Sequence, residues 1–426
     1  MKIYSKEKKI KGNVCIKKYR LFGHTFLRKE KSPEKYKVRF FDINVFMKTK
    51  GETKKTYFIF GMKIYKKKIH QKCESYDHSE QNLKNIIDNN LIKDECIVFN
   101  YEENPLVSII IPVYNQIEYT KKCLKSIFMC GKDVSYEIIL ADDNSSDDTI
   151  RIGESVHNIT IIRNASNKGY IKNCNNAAKL ARGTYLYFLN NDTIVQERWL
   201  SSLVNVFESR TDAGVVGSKI IRRDGTLQEC GVFTYSDIFM NANMSDPDLN
   251  AHSYLKKADY VSGCSLMTPA RLFRELGGFD EVFTTAGCDA PDYCFAVCQK
   301  GYAVYVQPKS VVVHFGSLSY EKSTNNLQIW TNEILQKKWT DFFTGKTTYA
   351  QWKLPFSDKL RPKTILIIDD LYPQFDRHAG GKTIFQYLIT FVSMGLNVKF
   401  CPLFSEQRQE PYHSILCDMG IEIIRA

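Results

Sequence analysis

The chain has 426 residues, 43% hydrophobic and 25% charged, with a formal net charge of +12. That is the balance of an ordinary globular protein with room for two or three domains, and it argues against a disordered or fibrous chain. No apolar run reaches the roughly 18 residues that a spanning helix needs, and the Lys-rich N-terminus lacks a signal peptide's apolar core, which predicts a cytoplasmic protein. The 13 cysteines are odd in number and contain no CxxC pair, which predicts reduced thiols. Cys294 and Cys298 share one helix face and suit buried thiols better than a zinc site.

The charge is concentrated at one end. Residues 1–68 hold 22 Lys/Arg against 5 Asp/Glu, a net of +17, so the rest of the chain carries −5. Within that stretch Tyr19-Arg-Leu-Phe22-Gly23, Val38-Arg-Phe-Phe41-Asp42 and Tyr57-Phe-Ile-Phe60-Gly61 recur, with their last phenylalanines 19 residues apart. Each segment has an apolar run, a turn, a second run and then lysines, the pattern of a β-hairpin repeated three times. Lysines beside short strands discourage edge pairing, so a solubilised repeat sheet explains them. Adhesion to an anionic surface, such as the inner face of a membrane, explains them equally. No nucleic-acid module is present, and nucleic acid is not expected as a partner. Residues 69–104 follow as a linker, with a polar helix at 80–91.

In residues 105–320 four apolar runs each end in polar residues. Val107 to Val113 ends in Tyr114-Asn115, and Glu137 to Ala141 in Asp142-Asp143-Asn144-Ser145. Ile159 to Ile162 ends in Arg163-Asn164, and Tyr185 to Leu189 in Asn190-Asn191-Asp192. Helical patterns at Tyr119–Met129 and Ile171–Leu180 separate them, which predicts a parallel sheet buried on both faces. Ligands bind outside the carboxyl ends of such strands, where these polar clusters lie. Each cluster also has a plainer explanation as an N-cap, Asx turn or loop.

Several motifs taken together resemble the family 2 glycosyltransferases, which have the GT-A fold, an α/β Rossmann-like mixed sheet. They are Val107-Ser-Ile-Ile-Ile-Pro-Val-Tyr-Asn115, Ala141-Asp-Asp-Asn-Ser-Ser-Asp-Asp-Thr149, Asn167-Lys-Gly-Tyr170 with Asn175, and Leu189-Asn-Asn-Asp-Thr193. Gly277-Gly-Phe-Asp280 follows, then Gly301-Tyr302 leading through Gln307-Pro308 to His314. The resemblance implies a nucleotide-sugar donor, with Pro112 and Tyr114 lining the base pocket. Asp142 and Asp143 would accept from base or ribose, and Asn115, Asn167, Asn175 and Asn191 would lie around the donor. Asp192 would hold Mn²⁺ or Mg²⁺ at the diphosphate with His314 nearby, and Gly277-Gly278 would border the sugar and acceptor.

One position departs from the family. Its usual base falls on Ala290 when Cys288-Asp-Ala-Pro-Asp-Tyr-Cys294 is aligned through Asp292. A one-residue shift brings Asp289 into that role, while Asp289 and Asp292 also suit helix N-terminal caps. The expectation is an inverting glycosyltransferase that moves a sugar from a UDP- or dTDP-sugar to a glycan or lipid-linked acceptor. The alternative is a non-catalytic nucleotide- or glycan-binding protein with a degraded base motif.

Residues 321–362 read as a helical connector. From Lys363 the tail resembles the opening of a GT-B glycosyltransferase, a partial Rossmann-like unit over 363–426 that is either a docking remnant or truncated. Gly380-Gly381-Lys382-Thr383 lacks the earlier glycine of a P-loop.

Overall fold

Val107–Val113 is buried along its whole length, as a strand covered on both faces must be. The computed structural model describes strand backbone between residues 4 and 68. With side chains it describes residues 96–131, 133–235, 252–283, 287–316, 333–344, 346, 363–405 and 408–424. The polar helix expected at 80–91 lies outside the described residues, as does most of the 321–362 connector.

The chain divides into two units, 1–85 and 86–426. The first holds seven antiparallel strands in consecutive order, from Tyr4–Lys11 to Met62–Lys68. Three hairpins were expected. The extra strand is the first, Tyr4–Lys11, which pairs with Val14–Leu21.

The second unit is built on a ten-stranded mixed sheet. Its elements in chain order are β1 (Val107–Val113), α1 (Ile117–Cys130), β2 (Tyr136–Asp142), β3 (Thr160–Arg163), α2 (Tyr170–Ala178), β4 (Tyr185–Leu189) and β5 (Thr193–Val195). Next come α3 (Trp199–Ser209), β6 (Ala213–Arg222), β7 (Leu227–Glu229), β8 (Lys256–Ala258), β9 (Ser265–Pro269), α4 (Ala270–Glu275), α5 (Asp289–Gln299) and β10 (Ala303–His314). The strand order is β3-β2-β1-β4-β9-β6-β10-β5, with β7 on β6 and β8 on β10. Strands β1 to β4 are mutually parallel, β9 is antiparallel to both its neighbours, and β6 and β10 are parallel again. Consequently β1, β2, β3, β4, β6 and β10 all end on one edge. This is the GT-A core, and that edge carries the site.

Two features set the spacing of the strands. Ser108 in β1 donates to Glu137 Oε1 of β2 at 2.6 Å and accepts from Gly183 N at 2.8 Å; Arg182 Nε closes on Glu137 Oε2 at 2.8 Å. Losing one member of such a buried network costs about 1–3 kcal/mol, because it leaves the others unsatisfied. On one face of the sheet Trp199, Leu200 and Leu203 of α3 join Tyr187, Val216 and Val312 in a common apolar core.

The tail forms its own parallel three-stranded sheet, β11 (Thr364–Asp369), β12 (Asn397–Pro402) and β13 (Glu422–Ile423), with α7 (Ala379–Ser393) and α8 (Tyr412–Asp418). (The short helix Thr340–Phe343 is α6.) Leu388, Phe400 and Leu416 form the centre of its core. The unit docks on the GT-A core through Leu255 N to Cys417 O at 2.9 Å and Lys309 to Asp418 at 2.6 Å. Gly380-Gly381 opens α7, where His378 caps Gly381 N at 2.9 Å, so these glycines serve a helix start. None of the eleven described cysteines forms a disulfide. Among the described residues no helix is long and apolar enough to cross a membrane.

Candidate active site

The ends of β1, β2, β4 and β10 open on a cleft of about 510 Å³. Three groups of residues line it: Pro112, Tyr114, Asp143 and Asn167 at one end, Asn190, Asn191, Asp192 and His314 in the middle, and Ser262, Gly263, Asp289 and Ala290 opposite.

At the first end the loops after β1 and β2 are tied together. Asn115, with φ 59°, donates its backbone N–H to Ser145 Oγ at 2.7 Å, and its side chain accepts from Ser146 N at 2.8 Å. Asp147 accepts from Ile117 N at 3.1 Å. This stapling holds Tyr114 at the mouth, 46% exposed, with an aromatic face open for stacking. Asp143 is buried, and its carboxylate accepts from Lys168 N and Gly169 N, both at 2.8 Å. It thus shapes the loop that carries Asn167 while also lining the cleft.

Three of the expected donor residues do not line the cleft: Asn115, whose side chain is spent on the loop staple, Asp142 and Asn175. Asp142 is buried outside the cleft, with its carboxylate engaged by Arg163 and by Ser145 N at 2.9 Å. Asn175 also lies outside; it clamps Phe279 from both sides, donating to its carbonyl at 2.8 Å and accepting from its N–H at 2.9 Å. That clamp holds the turn at Gly277 and Gly278, both at φ 84°, and a Cβ on Gly278 would come within 2.7 Å of Asn175 Oδ1. The two glycines therefore shape a turn and do not line the cleft.

The central corner is set by register: β5 pairs with β10 so that Thr193 faces His314. This brings His314 Nε2 to 3.3 Å from Asp192 Oδ1. The His314 Nδ1 contacts the Gln228 amide, 3.0 Å from Nε2 and 3.2 Å from Oε1. If Oε1 accepts from Nδ1–H, the Nε2 lone pair is left toward Asp192. Asn191 is held by Thr120 at 3.0 Å, and the buried Asn190 Oδ1 has no hydrogen-bond partner. One carboxylate, one imidazole and one unsatisfied amide oxygen fit a divalent cation completed by ligand oxygens. No group of three or more His, Cys, Asp or Glu positioned for a metal occurs among the described residues, so phosphate would have to supply the remaining ligands.

On the opposite wall the first turn of α5 separates its two aspartates. Asp289 is 2% exposed, accepts from Gly287 N at 2.7 Å and lines the cleft. Burial pushes its carboxyl above the ordinary value, which suits a group that must take up a proton. Gly263 approaches it so closely that a Cβ there would lie 3.2 Å from Asp289 Oδ2. Asp292 points away from the cleft, and its Oδ1 accepts from Trp339 Nε1 at 2.7 Å and Lys338 Nζ at 2.8 Å. Its position therefore corrects the expectation of a catalytic pair: Asp292 anchors the connector, and Asp289 is the one that reaches the site. Ala290 lies beside it in the cleft wall.

Sequence reasoning missed Gln228 and Glu229 on β7, and gave no separate role to Tyr170, whose hydroxyl donates to Gly263 O at 3.2 Å. Glu229 lines the cleft and accepts from Ser262 N at 2.7 Å. Burial raises its carboxyl to about 7.

Residues 108–270 match the model described as Glycosyl transferase family 2. That match lies wholly within the part of the chain that builds the mixed sheet and the cleft. Two curated relatives are similar over half of the chain. The uncharacterized protein y4gI of Sinorhizobium fredii is 26% identical over 230 residues, 51% of this chain and 25% of that protein. The O-antigen biosynthesis protein RfbC of Myxococcus xanthus is 27% identical over 229 residues, 50% of this chain and 18% of that protein. The chain thus spans a quarter or less of the length of either relative. Among solved structures, GalNAc-T7 with UDP, GalNAc and Mn²⁺ aligns with a TM-score of 0.46 and 16% identity, covering 65% of this chain and 60% of that one.

Proposed function

We propose that the protein is an inverting glycosyltransferase of glycan biosynthesis, which moves a sugar from a UDP- or dTDP-sugar to a hydroxyl of a surface glycan or its lipid-linked precursor. The observation that carries this reading is one cleft joining an aromatic face at Tyr114, the Asp192–His314 corner and the buried carboxylate of Asp289. Tyr114 stacks on the base, and Asp143 with Asn167 shapes the nucleotide end. Asp289 takes the proton from the acceptor hydroxyl as its oxygen attacks the anomeric carbon, and the bond to the nucleoside diphosphate breaks on the far side. Base assistance contributes roughly 10²–10⁴-fold, and holding donor and acceptor in line supplies much of the remainder. Asp192 and His314, with Asn190 beside them, would hold the Mn²⁺ or Mg²⁺, which offsets the charge of the leaving diphosphate.

The O-antigen role of one relative supports a glycan acceptor. The test is a panel of UDP- and dTDP-sugars incubated with the full chain and Mn²⁺, followed for binding and for slow donor hydrolysis. The expected result is one preferred sugar that both binds and releases diphosphate. Binding without turnover, even with glycan acceptors added, would favour the non-catalytic alternative, which Ala290 in the cleft wall keeps in view.

A further inference from the structure

Glu229 belongs to none of the motifs that point to the site, yet its neighbours fix where along the cleft it stands. It ends β7 opposite Ile220 and lines the cleft. Gln228, one residue earlier, contacts His314 at 3.0 Å and so lies against the cation corner. On the other side Ser262 donates its backbone N–H to Glu229 Oε1 at 2.7 Å. Gly263, next in the chain, is the residue packed against Asp289 Oδ2. Glu229 therefore stands between the corner where the diphosphate leaves and the carboxylate that takes the acceptor proton. In an in-line displacement the transferred sugar occupies that interval.

A carboxyl group suits that position. The Ser262 N–H fixes its orientation, and its carboxyl oxygens can accept hydrogen bonds from sugar hydroxyls. Tyr260 and Ser262 line the same wall. A site built to hydrogen-bond a particular hydroxyl rejects sugars that lack it, because its polar group is then left unpaired. We infer that Glu229 is a specificity-determining residue that binds a hydroxyl of the transferred sugar. The inference rests on the glycosyl-transfer reading above.

The test compares the full chain with Glu229→Gln and Glu229→Ala, in Mn²⁺, for binding of UDP and dTDP and of the matching nucleotide sugars. Donor hydrolysis supplies kcat and KM. The expected result is nucleoside diphosphate binding within about twofold of wild type in both variants. The preference for nucleotide sugar over bare diphosphate should fall roughly tenfold or more in Glu229→Ala, with partial recovery in Glu229→Gln. The order of preferred sugars should change as well. An unchanged preference overturns the inference. An equal loss of diphosphate and nucleotide-sugar affinity also overturns it, because it makes Glu229 a scaffold residue. If the Ala variant does not fold, the isosteric Gln variant distinguishes these outcomes by itself. A wild-type chain that binds no nucleotide sugar is a different failure, since it removes the glycosyl-transfer reading itself.

Discussion

Asp289 and Asp292 lie three residues apart on the first turn of α5, and the turn sends one into the cleft and the other under the connector. The partners of Asp292 give it a structural role: Trp339 Nε1 at 2.7 Å and Lys338 at 2.8 Å. Replacing it with Ala should lower unfolding stability by roughly 1–3 kcal/mol, mainly by stranding the indole N–H. Denaturant titration measures that loss, and donor affinity should be unchanged. Glu229 gives a pH prediction at the same scale. Burial lifts its carboxyl from the ordinary 4.5 to about 7, and the groups around it, Tyr260, Cys264 and Cys294, are also raised by burial and stay neutral there. A carboxyl raised by folding contributes stability that is fully present below its unfolded value and is lost as pH rises through its folded value. Glu229→Gln should therefore melt above wild type at about pH 8, and the gap should close toward about pH 5. A gap that is constant across that range would contradict the assignment.

At the scale of elements, strand ends were the legible part. The runs at Val107–Val113, Tyr136–Asp142 and Tyr185–Leu189 are mostly apolar and buried almost throughout because both faces are covered, so their polar ends mark the edge where ligands bind. What the pattern could not give is the direction of individual side chains. Asp142 and Asp143 are adjacent, but only Asp143 reaches the cleft, because Arg163 engages Asp142 from the end of β3. Asn175 looks like a ligand residue until its clamp on Phe279 is seen. Gln228 and Glu229 were hidden for the opposite reason. They lie on a three-residue strand after a turn, which is too short for a period and reads as surface. The glycine turn follows from the same contacts. Gly278→Ala would place a Cβ at a left-handed φ and 2.7 Å from Asn175 Oδ1. It should cost roughly 1–3 kcal/mol, seen as a lowered denaturant midpoint. A neutral result would mean that the Asn175 clamp yields.

For the whole molecule, charge and chemistry sit in different units. Residues 1–68 carry a net +17 in a consecutive antiparallel sheet, whose register sets Lys54 opposite Lys68 and Lys55 opposite Lys67. The cleft lies wholly within the unit that follows. We propose that the basic sheet holds the enzyme at an anionic inner-leaflet surface, where each Lys or Arg is attracted by about 1 kcal/mol. Deleting residues 1–68 should release the protein from anionic vesicles and leave donor binding intact; unchanged vesicle binding would contradict the anchor. The role of Asp289 as the base of a working transferase, despite Ala290, is probed most directly by Asp289→Asn. Transfer and donor affinity should be measured on one preparation. With Asp289 as the base, transfer falls by roughly 10²–10⁴-fold while nucleotide-sugar affinity is retained. Transfer that survives the substitution would contradict that role.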